Sequence, residues 1–176
     1  MKNSSVHPFA ETLLTWYKSH ARDLPWRQTS DPYLIWLSEI ILQQTRVAQG
    51  LPYYYKLSEA FPTVYYLARA DENTLFRLWQ GLGYYSRARN LHKTAKYVVD
   101  SLDGEFPTNY AELIQLPGVG PYTAAAIASF AFQEATPVVD GNVYRILARY
   151  FGIDTDIMHS SARQEFTSLA QELIPF

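Results

Sequence analysis

Apolar residues recur along this chain at helical spacing, in short runs punctuated by proline, glycine and capping residues. Phe9, Leu13, Leu14, Trp16 and Tyr17 predict a first amphipathic helix. Ala21 to Pro32 is polar and holds two prolines, and it reads as a loop. Tyr33 to Gln49 predicts a second helix stopped by Gly50 and Pro52, with a short third helix over Tyr53 to Ala60. Pro62-Thr63 opens another, and Asp71 is placed to cap the next, which runs to about Gln80. Gly81 and Gly83 make a turn before a long helix from Tyr84 to Leu102. Asn109 to Gln115 is short and helical, and Pro121 to Phe132 is a helix rich in small residues. Asp140 is placed to cap a helix through Tyr150, and Ser160 or Ser161 starts a last one, interrupted at Pro175. Thr136 to Val139 is the only short strand candidate. Short helices joined by short loops, with no repeat or low-complexity linker, predict an all-α bundle.

Composition narrows the picture. With 176 residues, 48% hydrophobic and 18% charged, the chain suits one globular domain, or two small lobes around one cleft. No apolar run approaches the ~20 residues that span a membrane, and Met1-Lys2-Asn3-Ser4-Ser5 lacks the apolar stretch of a signal peptide. A cytoplasmic, nucleoid-associated location and a monomeric state are the expectations. The absence of cysteine excludes disulfides, thiolate catalysis and cysteine-bound metals within this chain. His7, His20, His92 and His159 show no metal-ligand spacing.

The net charge of −2 argues mildly against a nucleic-acid partner, but its distribution changes that reading. Between Asn73 and Val99 there is no acidic residue, whereas Arg77, Arg87, Arg89, Lys93 and Lys96 give the segment +5 and leave −7 for the remainder. A solvated helix face explains such a run in general. Its position after Gly81-Leu82-Gly83-Tyr84-Tyr85 points instead to a phosphate-facing surface.

Three features carry candidate chemistry. In Leu116-Pro117-Gly118-Val119-Gly120, Gly118 and Gly120 can take positive φ and bring backbone close to a ligand. Their N–H groups, with the N-terminus of the following helix, make an anion site. No lysine or arginine lies between Phe106 and Gln133, so such a clamp would act through backbone dipoles. The alternative is a tight turn between helices. Glu39 lies among Trp36, Leu37, Ile40, Ile41 and Leu42; a glutamate there either turns to solvent, pairs with a base, or is buried. Burial would raise its pKa and keep the proton a general acid needs. Asp140, after the small-residue helix, is an N-cap that can also be an ionised carboxylate beside a sugar, stabilising an oxocarbenium-like transition state. Asn142, two residues on, can orient a carboxylate or water.

Together these segments resemble the helix-hairpin-helix DNA glycosylases, and within them the adenine-specific branch. The resemblance rests on Leu24-Pro25-Trp26-Arg27, on Trp36 to Thr45, on Gly81 to Leu91, on the hairpin over 109–132 and on Val139-Asp140-Gly141-Asn142-Val143, in that order. It implies a six-helix-barrel-like lobe with an incomplete second helical lobe, the whole chain forming one catalytic region. It implies a monofunctional glycosylase that removes adenine mispaired with 8-oxoguanine or guanine in double-stranded DNA and leaves an abasic site. Glu39 would protonate adenine, chiefly at N7. Asp140 would stabilise the sugar cation, electrostatically or through a transient bond, with Asn142 in support. Tyr122 stands where bifunctional relatives such as endonuclease III carry a Schiff-base lysine, so no efficient lyase step is expected; a core aromatic is its other reading. Gln44 and Tyr84 would enter the duplex near the opposing guanine, with Leu42, Gln43 and Thr45 beside them. Trp26 and Arg27 would line the adenine pocket. Gly118, Val119 and Gly120 would hold the backbone phosphate, and Arg87 is counted with the DNA contacts, although for Tyr85, Arg87 and Arg89 core packing is an equal alternative. The carbonyls of Ile114, Leu116 and Val119 would bind a monovalent or calcium ion.

The chain departs from the family at its end. Members continue into a four-cysteine iron–sulfur segment and a further domain that helps recognise 8-oxoguanine. Here the sequence ends at Leu173-Ile174-Pro175-Phe176 without cysteine, so no cofactor is expected in this chain. A shortened form of a longer protein is the expectation, and a naturally clusterless short homologue is the alternative. The rival functions are a mismatch thymine glycosylase and a non-catalytic DNA-binding module.

Overall fold

A computed structural model of the chain describes residues 6–175. Among them every regular element is helical, and Thr136 to Val139 takes no regular structure. The helices are α1 Pro8–His20, α2 Pro32–Leu42, α3 Val47–Ala60, α4 Val64–Ala68, α5 Glu72–Trp79, α6 Ser86–Leu102, α7 Tyr110–Leu113, α8 Pro121–Phe132, α9 Gly141–Phe151 and α10 Ala162–Leu173, with a 3-10 turn at Pro25–Arg27. They divide into a central unit, Pro25–Glu134, and a terminal unit made from the chain up to Leu24 and from Ala135 onward.

Asp71, a cap expected from sequence, acts as such, and Asn109 caps as well, whereas Ser161 starts the last helix without a side-chain cap. The carboxylate of Asp71 accepts from the Thr74 amide at 3.0 Å, and the Asn109 side chain accepts from Glu112 N–H at 3.0 Å. The predicted Tyr33–Gln49 helix is in fact two. The chain breaks after Leu42, and Gly50 and Pro52 lie inside α3. Gly50 is a close-packing residue: a Cβ there would stand 2.8 Å from Leu42 Cδ2 and 3.3 Å from Ile41 Cγ2. The break instead uses Gln44 at φ 54°, in the left-handed region. The helix expected from Tyr84 likewise starts later, at Ser86, because Tyr84 has φ 46°.

The core of the central unit forms around α2, which is buried on nearly every side by Tyr33, Ile35, Trp36, Leu37, Ile40 and Ile41. Each large apolar side chain withdrawn from water contributes about 1.5–3 kcal/mol. Helix α2 packs on α3, α6 and α8. In α8, Thr123 through Ala128 are all buried, and their small side chains let its backbone approach α2 closely. In the terminal unit, Leu147, Ala162, Phe166 and Leu173 form a core joined by Phe9, Val143 and Tyr144.

Candidate active site

Glu39 sits in the third turn of α2 and is 8% exposed. Burial pushes its carboxyl above the ordinary carboxylate range, and the positive charge of Arg27 opposes that shift without cancelling it. Arg27 is exposed at the end of the 3-10 turn, and its guanidinium lies 3.8 Å from the centre of the Phe130 ring. Phe130, in α8, was not singled out from sequence. Trp26, beside Arg27, is buried with its ring 5.1 Å from that of Tyr54 in an edge-on contact. A buried carboxyl whose pKa is raised, a cation and an aromatic ring therefore converge on one part of the central unit.

Two turns of the same unit expose the candidate DNA-entering residues. Gln44 is exposed in the turn between α2 and α3, where Leu42, Gln43 and Thr45 are half-buried. Tyr84 is 64% exposed in the turn before α6. Both residues hold positive φ without being glycine, a conformation that costs about 1–3 kcal/mol and is found where surrounding structure enforces it.

Arg87 is turned into the protein, the core-packing alternative of its sequence reading. It is 8% exposed, and its guanidinium is spent on the protein itself. Nη1 lies 3.1, 2.9 and 2.6 Å from the carbonyls of Ile40, Ile41 and Gln43, and 3.3 Å from Thr45 Oγ1. Nη2 reaches the carbonyls of Leu82 and Gly83 at 3.1 and 3.3 Å. The helical period carried this information: Arg87 repeats with Leu91, Thr94 and Val98, all buried, whereas Arg89, Lys93 and Lys96 share the exposed face of α6.

In the hairpin, Gly118 has φ +73°, as expected, but Gly120 has φ −88° and serves as the uncapped start of α8. What glycine supplies at 120 is open space, since nothing lies within 4 Å of a Cβ placed there. Val119 is buried, and its N–H closes the turn onto the Leu116 carbonyl at 3.1 Å. Its amide is already engaged within the hairpin turn. Helix α6 supports the hairpin from outside: the Thr94 hydroxyl donates to the Pro117 carbonyl, and the Asn90 side chain packs against Gly118. A Cβ on Gly118 would meet Asn90 Cβ at 3.0 Å, in a left-handed backbone. Gly118→Ala is therefore expected to destabilise the protein by about 1–3 kcal/mol, measurable as a lower denaturant midpoint; an unchanged midpoint would show that the turn tolerates a side chain. Ile114 is the C-cap of α7 and Leu116 and Val119 bound the turn that follows, where the Leu116 oxygen keeps one lone pair after taking the Val119 amide. That donor set suits a hard cation.

Asp140 and Asn142 belong to the terminal unit. Asp140 caps α9: Oδ1 accepts from the amides of Asn142 and Val143, each at 2.9 Å. The Asn142 side-chain amide donates to Oδ2 at 3.0 Å. The carboxylate is thus held in one orientation by three donors. Tyr122 is exposed in the first turn of α8. No group of three or more histidine, cysteine, aspartate or glutamate side chains among the described residues is arranged to hold a metal, and no described helix is long and apolar enough to cross a membrane.

Known proteins were compared against this geometry. The chain is 46% identical over 147 residues to the adenine DNA glycosylase of Buchnera aphidicola subsp. Baizongia pistaciae, covering 83% of this chain and 42% of that protein. It is 44% identical over 180 residues to the adenine DNA glycosylase of Homo sapiens, covering 97% of this chain and 33% of that protein. The chain therefore spans less than half the length of these relatives. Among solved structures, a thermostable thymine-DNA glycosylase superposes with a TM-score of 0.87 at 31% identity, over 95% of this chain and 77% of that one. Residues 37–172 match the family model, so the chain belongs to the HhH-GPD superfamily of base excision DNA repair proteins.

Proposed function

We propose that this chain is the glycosylase part of an adenine-excising repair enzyme acting on double-stranded DNA in which adenine is mispaired with 8-oxoguanine or guanine. The observation that carries the reading is Glu39, a carboxyl withdrawn from water yet next to the exposed cation Arg27. Adenine extruded from the stack would enter beside Arg27 and Trp26, and Glu39 would deliver its proton to the base, chiefly at N7. Protonation turns the base into a leaving group, and the N-glycosidic bond breaks. The electron-poor sugar then needs a negative charge, which the oriented Asp140 carboxylate would supply, with Asn142 keeping it in place. Water adds to the sugar and an abasic site remains. Tyr122 has no amine, so no Schiff base forms at that position and strand cleavage is not efficient.

DNA would be held by the exposed face of α6 and by the hairpin at Gly118, Gly120 and the start of α8, with Gln44 and Tyr84 entering the duplex near the opposing guanine and Leu42, Gln43 and Thr45 beside them. A monovalent or calcium ion on the Ile114, Leu116 and Val119 carbonyls would add positive charge at that hairpin. An iron–sulfur cluster does not fit this chain, which offers no thiolate; a cluster would have to sit on residues beyond it.

The likeness to a thymine-DNA glycosylase supports a second reading, excision of mismatched thymine. Glu39 favours adenine, because thymine has no purine N7 to protonate. The test is single-turnover base release from duplexes carrying adenine opposite 8-oxoguanine, adenine opposite guanine, and thymine opposite guanine. Adenine release without borohydride-trappable intermediate is expected. Release of thymine alone would replace the adenine reading, and binding without any release would leave a DNA-binding module.

A further inference from the structure

Arg87 is an expensive side chain to bury, since an unpaired guanidinium withdrawn from water costs several kcal/mol. The structure meets that cost with acceptors from three places. Ile40 and Ile41 present carbonyls at the C-terminal end of α2, where a helix leaves such groups without intrahelical partners. Gln43 and Thr45 flank Gln44. Leu82 and Gly83 precede Tyr84. The guanidinium also lies 5.8 Å from the Tyr84 ring centre and 5.2 Å from that of Trp79, whose Nε1 donates to the Gly83 carbonyl at 3.1 Å. An apolar residue would fill the same volume but would bind none of these carbonyls. Gln44 and Tyr84, two of the four non-glycine residues at positive φ among the described residues, are each adjacent to atoms that Arg87 holds.

We infer that Arg87 is a positioning residue for base extrusion, clamping the Gln43–Thr45 and Leu82–Tyr84 turns to the end of the Glu39 helix so that Gln44 and Tyr84 enter the duplex as one rigid tip. The inference rests on the DNA-entering roles proposed above. It separates two functions that the basic run of α6 merges: Arg89, Lys93 and Lys96 meet phosphates from outside, while Arg87 sets the shape of the wedge from within.

The test compares the parent chain with Arg87→Lys, which keeps the charge but not the planar fork, and with Arg87→Met, which keeps the volume. Duplex binding, thermal melting, and fluorescence of 2-aminopurine placed opposite 8-oxoguanine are measured, the last reporting extrusion without any bond breaking. Base release is then compared between adenine opposite 8-oxoguanine and adenine opposite a tetrahydrofuran abasic analogue, where less unstacking is required. Both variants are expected to bind duplex within about 3-fold of the parent yet lose extrusion and release by about 10- to 100-fold, with a smaller loss on the unpaired substrate. Parent-like extrusion by either folded variant overturns the inference, as does an equal loss on both substrates, which would mean general distortion. Should both variants unfold, Thr45→Val, which removes one acceptor, is expected to weaken extrusion in part, and an undiminished signal would overturn the clamp. A parent chain that extrudes but never releases adenine would defeat the glycosylase reading and leave the clamp standing; a parent that does not extrude defeats the clamp.

Discussion

Glu39→Gln is expected to release adenine about 10²- to 10⁴-fold more slowly than the parent chain, the range a positioned general acid contributes, while melting at a higher temperature at neutral pH. The two effects share one cause. Burial raises the folded-state pKa of Glu39 above its unfolded value, with Arg27 pulling the other way. The folded state therefore holds this proton more tightly than the unfolded state. The stabilisation is fully present below the unfolded carboxylate range and is lost as pH rises through the raised folded pKa, by about 1.4 kcal/mol for each unit of the shift. Glutamine carries no charge at any pH and avoids that loss. The variant's thermal advantage should appear at neutral pH and shrink in mild acid. Release by the parent should fall as pH rises through the same group. A variant that is less stable at neutral pH, or that still releases adenine at the parental rate, would remove Glu39 from its assigned role.

Asp140→Asn should slow release by about 10²- to 10³-fold with little change in stability. Asparagine caps a helix about as well as aspartate, so the amides of Asn142 and Val143 keep an acceptor, and the lost charge at the helix N-terminus costs under about 1 kcal/mol. Asp140→Ala removes both cap and charge and should be less stable than Asp140→Asn by about 1 kcal/mol while being no slower. Single-turnover rates and denaturant midpoints on the pair separate the two roles. If Asp140→Asn kept the parental rate, Asp140 would be a cap alone.

Much of this was legible in the chain because local chemistry wrote it there. Asp71, Asn109 and Asp140 mark helix starts through their own side chains, and of the three placements that the apolar neighbours of Glu39 left open, the structure takes burial. The failures came where a distant contact overrode local preference. Gly50 and Pro52 read as a stop, yet α3 runs through both, because Gly50 lets the helix press against Ile41 and Leu42. The true break falls at Gln43-Gln44, which carries no turn signature, since the carbonyls there are held by a residue more than forty positions later. The burial of Arg87 is written in its register with Leu91, Thr94 and Val98, whereas Arg89, Lys93 and Lys96 fall on the exposed face. The hairpin glycines were read as equivalent, and only Gly118 uses its conformational freedom.

The division of the chain into units has a temporal side. The central unit, Pro25–Glu134, is continuous in sequence, while the terminal unit joins the beginning of the chain to the stretch from Ala135 onward. On a ribosome, everything needed for the Glu39 helix, the clamped turns and the hairpin has been synthesised before Asp140 exists. Domains generally fold as units, the earlier ones first, during synthesis. Helix α1, by contrast, must wait through the making of the whole central unit for α9 and α10. The unit that carries the Glu39 helix is thus assembled early and from local chain, and the unit that carries Asp140 is completed last, when its two separated stretches of polypeptide finally meet.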